Sequence, residues 1–130
     1  MDKTILLLED DESIIRDNQK VRTPPDFCLR VMMTAELRNC GFLDIALTLQ
    51  RKNALIAIIV GGFLSECRIS AGPKIVRLLR ERGITCPIIG CSGNSALENS
   101  FIENGADSFV LRGMVDGAAP LRKILELIQS

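Results

Sequence analysis

Residues 4–12 read Thr4-Ile5-Leu6-Leu7-Leu8-Glu9-Asp10-Asp11-Glu12, an apolar run that stops at a string of carboxylates. Near-continuous apolar character over so short a stretch is what a strand covered on both faces requires. Open α/β sheets place their ligand sites at the carboxyl edge of such strands. Carboxylates crowded there repel one another, and a hard cation such as Mg²⁺ or a basic partner relieves the repulsion. A plainer alternative also fits: Asp10, Asp11 and Glu12 cap and charge a helix N-terminus, where negative charge is favoured.

Three more apolar runs share this character: Ala54–Val60, Cys86–Cys91 and Ser108–Leu111. Helical patterns lie between them. Gly72–Arg82 has Pro73 in its first turn, an inward stripe of Ile75, Val76, Leu78 and Leu79, and Gly83 as terminator. Ser95–Asn104 opens with the capping-box spacing Ser95-Ala96-Leu97-Glu98 and stops at Gly105. Pro120–Gln129 carries Leu121, Ile124, Leu125 and Ile128 at helical spacing. The first half is less decided. Ser13–Arg22 reads as a helix with a thin apolar face of Ile14, Ile15 and Val21, and Thr23–Asp26 as a loop. Cys28–Met33 then reads as a strand and Ala35–Lys52 as a helix, with Thr34 as its cap. The competing parse makes Asp26–Asn39 helical and puts a strand near Phe42–Leu47. Strand alternating with helix argues for a parallel sheet with right-handed crossovers.

Composition narrows the chemistry. At 130 residues and 47% apolar, the chain is long enough to bury one core of its own, so residues 1–130 read as a single domain. A formal net charge of zero, with no long basic run, disfavours nucleic-acid binding. The cluster Arg77, Arg80, Arg82 is interrupted by Glu81 and reads as a solvated helix face. The five cysteines form no CxxC pair, so a disulfide scaffold or zinc site is not expected and reduced cytoplasmic thiols are. The apolar runs are too short to span a bilayer and no signal peptide precedes them, which implies a cytoplasmic protein free of the membrane. Histidine is absent, which removes Ser-His-Asp and Cys-His catalysis. Gly90-Cys91-Ser92-Gly93 lacks the spacing of a nucleophile elbow.

In order and content these segments resemble a response-regulator receiver domain of the CheY-like family over nearly the whole chain. The resemblance implies a flavodoxin-like α/β fold: a doubly wound, five-stranded parallel sheet, (βα)5, with strand order 2-1-3-4-5. The family's first strand ends in an acidic pair that helps hold Mg²⁺; Glu9 and Asp10 match it, with Asp11 beside them. Its fourth strand ends in a Ser or Thr that bonds the phosphoryl group; Pro87-Ile88-Ile89-Gly90-Cys91-Ser92 matches, with Ser92 in that place. Its fifth strand carries a switch aromatic three residues before a Lys; in Gly105–Arg112 these places fall to Phe109 and Arg112.

One departure decides the functional expectation. The family's third strand ends in the Asp that takes phosphate. Here the segment reads Ile58-Ile59-Val60-Gly61-Gly62-Phe63-Leu64-Ser65, with Gly61 at the acceptor position and Glu66 too far along the loop. The resemblance therefore implies a degenerate, pseudo-receiver domain without a nucleophile, with weak or lost Mg²⁺ binding at Glu9 and Asp10, no cofactor and no enzymatic activity. Arg112 replaces a mobile Lys with a permanently charged planar fork, and is expected to act as counter-ion of Glu9 and Asp10. Gly113 stands where the family has Pro. Cys67, beside Arg68 in the loop of residues 62–71, reads as a plain surface thiol.

The expected role is phosphorylation-independent protein–protein interaction in two-component-type signalling, with a sensor kinase or an output domain as partner. The expected docking face is built from Ser95–Asn104, Ser108–Leu111 and Pro120–Gln129, with Phe109 held by packing. Two other readings stay open: a phosphorylatable regulator using Asp10 or Asp11 as substitute acceptor, and a flavodoxin-like cofactor-binding domain. The second lacks a Gly-rich phosphate loop after its first strand, where carboxylates would repel a phosphate.

Overall fold

Every apolar run quoted above contributes a strand. The structure, a computed structural model, describes residues 3–33, 41–62, 72–111 and 118–129. In chain order it contains β1 (Lys3–Leu8), α1 (Glu12–Gln19), β2 (Phe27–Met32), α2 (Gly41–Arg51), β3 (Leu55–Gly61), α3 (Gly72–Glu81), β4 (Ile88–Ser92), α4 (Glu98–Glu103), β5 (Ser108–Leu111) and α5 (Ala119–Gln129). A 3₁₀ turn, Ser95–Leu97, precedes α4. The strands form one sheet in the order β2-β1-β3-β4-β5, and all four pairings are parallel. This is the flavodoxin-like doubly wound arrangement that the resemblance implies.

Successive strand side chains point to opposite faces, so each apolar run supplies two cores. Leu6, Leu8, Ile58, Val60 and Ile88 face one way, against Phe42, Leu43 and Ala46 of α2, Ile75, Val76 and Leu79 of α3, and Phe101 of α4. Ile5, Leu7, Ala57, Ile59, Ile89 and Cys91 face the other, against Leu121, Ile124 and Leu125 of α5. Burial on both faces explains why these strands lack the alternation of a half-solvated sheet. At roughly 1.5–3 kcal/mol for each fully buried aliphatic side chain, these two layers are the main favourable term in folding.

Helix boundaries follow local chemistry. Asp11 is the N-cap of α1: its Oδ1 accepts from the Ser13 amide at 2.9 Å and the Ser13 hydroxyl at 2.7 Å. Gly83 and Gly105 stop α3 and α4 with φ of 92° and 114°, a left-handed conformation that glycine adopts without a Cβ penalty. The strand assignment for residues 28–33 holds, and the competing parse fails, because residues 42–47 lie inside α2. The proposed cap at Thr34 lies outside the described residues.

Four expectations need correction. Leu78, read as part of the inward stripe of α3, is 41% exposed, while Ile75, Val76 and Leu79 are buried. β4 begins at Ile88 rather than Cys86; Pro87 has no amide proton to give a ladder, although its carbonyl accepts from Ile58 N at 3.0 Å. The capping box at Ser95 and Glu98 does not form. Asn94 caps instead, its Oδ1 accepting from Ala96 N at 3.0 Å and starting the 3₁₀ turn before α4.

Arg80 is not part of a solvated face. Its side chain is 24% exposed, and its guanidinium donates to Gly105 O at 2.9 Å, Ile84 O at 2.8 Å, Cys86 O at 2.9 Å and Asp107 Oδ2 at 2.8 Å. The same Asp107 oxygen accepts from Ile88 N at 2.8 Å. One side chain thus ties the ends of α3 and α4 to the start of β4. Arg77, by contrast, is 69% exposed and pairs with Glu81 one turn on. Among the described residues, no helix is long and apolar enough to cross a membrane.

Candidate functional site

The carboxyl edge of the sheet is where the acidic string arrives. β1 ends at Leu8, which pairs with Val60, so the next residues, Glu9 and Gly61, stand level on adjacent strands. Neighbouring strands are about 4.8 Å apart, a gap that the Cβ–Cγ–Cδ reach of a glutamate spans. Gly61 leaves that gap open, and Glu9 fills it. A Cβ placed on Gly61 would overlap Glu9 Oε2 and come within 3.0 Å of Glu9 Cδ and 3.3 Å of Leu8 O. The other oxygen, Glu9 Oε1, accepts from the Asp11 amide at 3.3 Å. Glu9 N donates to Met32 O at 3.2 Å, which anchors the turn on β2 as well. Glu9 is 2% exposed, whereas Asp10 is half-buried and Asp11 is exposed at the cap of α1.

Gly62 meets the same crowding on the opposite face. A Cβ there would lie 2.6 Å from both Cβ and Oγ of Ser92 and 2.9 Å from Leu97 Cδ1. Gly62 N donates to Cys91 O at 2.9 Å, which brings the end of β3 against β4. Ser92 is 5% exposed, and its hydroxyl oxygen accepts from Asn94 N at 3.1 Å. Two consecutive glycines inside a buried strand end were the available sequence signal for close approach. Each one's side-chain space is taken by a residue of a neighbouring strand.

Phe109 sits on β5 level with Gly90 of β4. The space above Gly90 belongs to Phe101: a Cβ on Gly90 would come within 2.5 Å of Phe101 Cγ and Cδ1. Phe101 is fully buried, and its ring centroid lies 5.7 Å from that of Phe109 at 40°. That separation lies within the range of contacting aromatic pairs. Sequence reasoning placed Phe109 but not its partner, because Phe101 is one apolar position among several on a helix.

The structure thus brings Glu9, Asp10, Gly61 and Ser92 to one edge, with Phe109 nearby on β5. Arg112 lies outside the described residues, as do Gly113, Cys67 and Arg68, and with it the expected ion pair of Arg112 with Glu9 and Asp10. Glu9 and Asp10 bring two carboxylates to the edge and position 61 brings none. Among the described residues no group of three or more His, Cys, Asp or Glu side chains is placed to hold a metal ion.

This edge, on a sheet of order β2-β1-β3-β4-β5 with helices on both faces, can be compared with known structures. The fold is that of a receiver domain. A response regulator receiver protein from Pseudoalteromonas atlantica superposes with a TM-score of 0.65 at 15% identity, covering 96% of this chain and 98% of that one. A two-component response regulator from Clostridium difficile gives 0.67 at 16% identity, with 98% and 99% covered. DrrB, an OmpR/PhoB homologue from Thermotoga maritima, gives 0.67 at 16% identity, covering 99% of this chain and 54% of that protein. No protein-family profile and no curated protein sequence matches the chain. At these identities the receiver likeness establishes the fold, and the chemistry has to be argued from the side chains at the edge.

Proposed function

We propose that the chain is a pseudo-receiver: a signalling domain of two-component type that docks a protein partner without phosphotransfer. The observation that carries this reading is Gly61 at the end of β3, where a receiver holds its acceptor Asp. Without a carboxylate there, nothing attacks a phosphodonor, and a divalent ion loses one of the oxygens it needs. Mg²⁺ binding at Glu9 and Asp10 is accordingly weak, and no other cofactor takes part. The substitute-acceptor reading gains little, because Asp11 spends its carboxylate on the start of α1.

The partner, a sensor kinase or an output domain in the cytoplasm, docks on the face of α4, β5 and α5. Ile102 and Leu111 support this assignment, being 45% and 36% exposed there. Glu98, Glu103 and Lys123 are exposed on the same elements. With the space beside Phe109 filled by Phe101, the aromatic has a fixed packing partner, which suits a face held in one state. Charge reversal at Glu98, Glu103 or Lys123 weakens partner association and leaves the fold intact, since rim charges govern association more than stability.

Intact-mass spectrometry after incubation with acetyl phosphate and Mg²⁺ tests the reading. The expected result is no added mass. A stoichiometric, hydroxylamine-labile gain of one phosphoryl group overturns it and points to Asp10 or Asp11.

A further inference from the structure

Losing an acceptor side chain leaves a hole at a strand end, and here the hole is not left open. We infer that Glu9 stands in for the absent carboxylate of position 61, reaching across from β1 to close the acceptor seat with a charge of the same sign. The inference deepens the pseudo-receiver reading and rests on it, because it concerns the state in which that edge is held.

Three observations support it together. Glu9 Oε2 and Cδ occupy the volume of a side chain on Gly61, with Leu8 O forming its lower wall. Glu9 is 2% exposed, so its carboxyl group is built into the edge rather than extended to solvent. Oε1 accepts from Asp11 N, the amide at the cap of α1, which ties the same carboxylate to the β1–α1 turn.

The length of the side chain matters. An aspartate at position 9 is one methylene shorter and falls short of a neighbouring strand about 4.8 Å away. A new side chain on Gly61 therefore meets Glu9 first. A methyl group must push the carboxylate out of a buried position beside Asp10. An acidic side chain brings a second carboxylate to the same seat, where like charges oppose each other's ionisation. Glu9 thus keeps shut the seat that Gly61 leaves open.

The test is a double-mutant cycle on the full chain: wild type, Gly61→Ala, Glu9→Ala and the double variant, each unfolded in urea. Gly61→Ala lowers the unfolding midpoint clearly in the Glu9 background and at most a third as much in the Glu9→Ala background. Equal drops in both backgrounds overturn the inference, since Glu9 then does not occupy the seat. Because Gly61→Asp with Glu9 present could simply unfold, it is paired with Glu9→Asp/Gly61→Asp, whose shorter carboxylate vacates the seat. Amide spectra with beryllofluoride and Mg²⁺ then report on the edge. The double variant shifts at the β3 and β4 ends, and the wild type does not. A double variant that folds but behaves as Gly61→Asp alone also counts against the inference. A shift in the wild type instead removes the pseudo-receiver reading, while the urea cycle still decides the seat.

Discussion

The two ends of β3 and β4 hold their charges in opposite ways. At the amino end, the Arg80 guanidinium meets three carbonyls and the Asp107 carboxylate at 2.8–2.9 Å, each acceptor in the fan of directions a planar fork presents. At the carboxyl end, Glu9 lies in the volume that a side chain on Gly61 would take, next in sequence to Asp10 and Asp11. The first arrangement is a charge placed where its partners already are, and its return is stability. The second packs a buried carboxylate, tied through Oε1 to the Asp11 amide, against a glycine-lined edge. The opposite end and the two cores secure the sheet on which that close packing sits.

The comparison is broken most directly at Arg80. Arg80→Ala strands three carbonyls and a carboxylate, and is expected to lower unfolding free energy by about 2–4 kcal/mol in urea titration. Arg77→Ala removes only an exposed i,i+4 pair and changes stability by less than about 0.5 kcal/mol. Similar small losses in both variants show that the Arg80 network contributes no more than a solvated pair. The result also bears on docking: a charge reversal at Arg80 reports on folding before it reports on any partner.

Crowding at the middle of β4 is next in size. Gly90→Ala drives a methyl group into the buried Phe101 ring, at a cost of about 1–3 kcal/mol. The same substitution in a Phe101→Leu background is expected to cost less than half as much, measured as coupling between the two sites. An unchanged cost there means that backbone strain, not the ring, excludes a side chain.

The smallest effect sharpens the amino end. Burial pushes the Cys86 thiol from 9.0 up to about 11, with the Arg80 charge partly opposing the rise. A folded-state value raised above the unfolded one means the protonated thiol is favoured by folding. Its contribution is whole below pH 9 and is lost as pH rises through about 11. At pH 8 iodoacetamide should modify the exposed Cys28 first and leave Cys86 and the buried Cys91 largely intact in the folded protein. Modification of Cys86 at the rate of Cys28, followed by peptide mass analysis, contradicts that environment.

Much of this was legible from one-dimensional patterns. The strand ends follow to within one residue from apolar runs that stop abruptly at Leu8, Val60 and Cys91, and Gly83 and Gly105 mark helix ends through their freedom at positive φ. Glu9 and Asp10 were read from their place after the first run, whereas Gly61, Ser92 and Phe109 were singled out only by the receiver resemblance. Arg80 was misread because a basic residue next to Arg82 and Glu81 looks solvated until its acceptors, which come from Ile84, Cys86, Gly105 and Asp107, are brought around it. Capping at Ser95 was misread because Asn94 offered the same hydrogen bond one residue earlier.

The sequence alone determined the alternation of buried strands with amphipathic helices, the carboxylates at the first strand end and the glycine pair at the third. All of these depend on residue type and spacing along the chain, which burial and backbone hydrogen bonding translate directly into elements. Tertiary structure decided what fills each glycine: Glu9 at Gly61, Ser92 and Leu97 at Gly62, Phe101 at Gly90. A glycine announces only that space is needed or contested. Which side chain takes that space depends on strand register and helix packing, and these bring together residues distant in sequence.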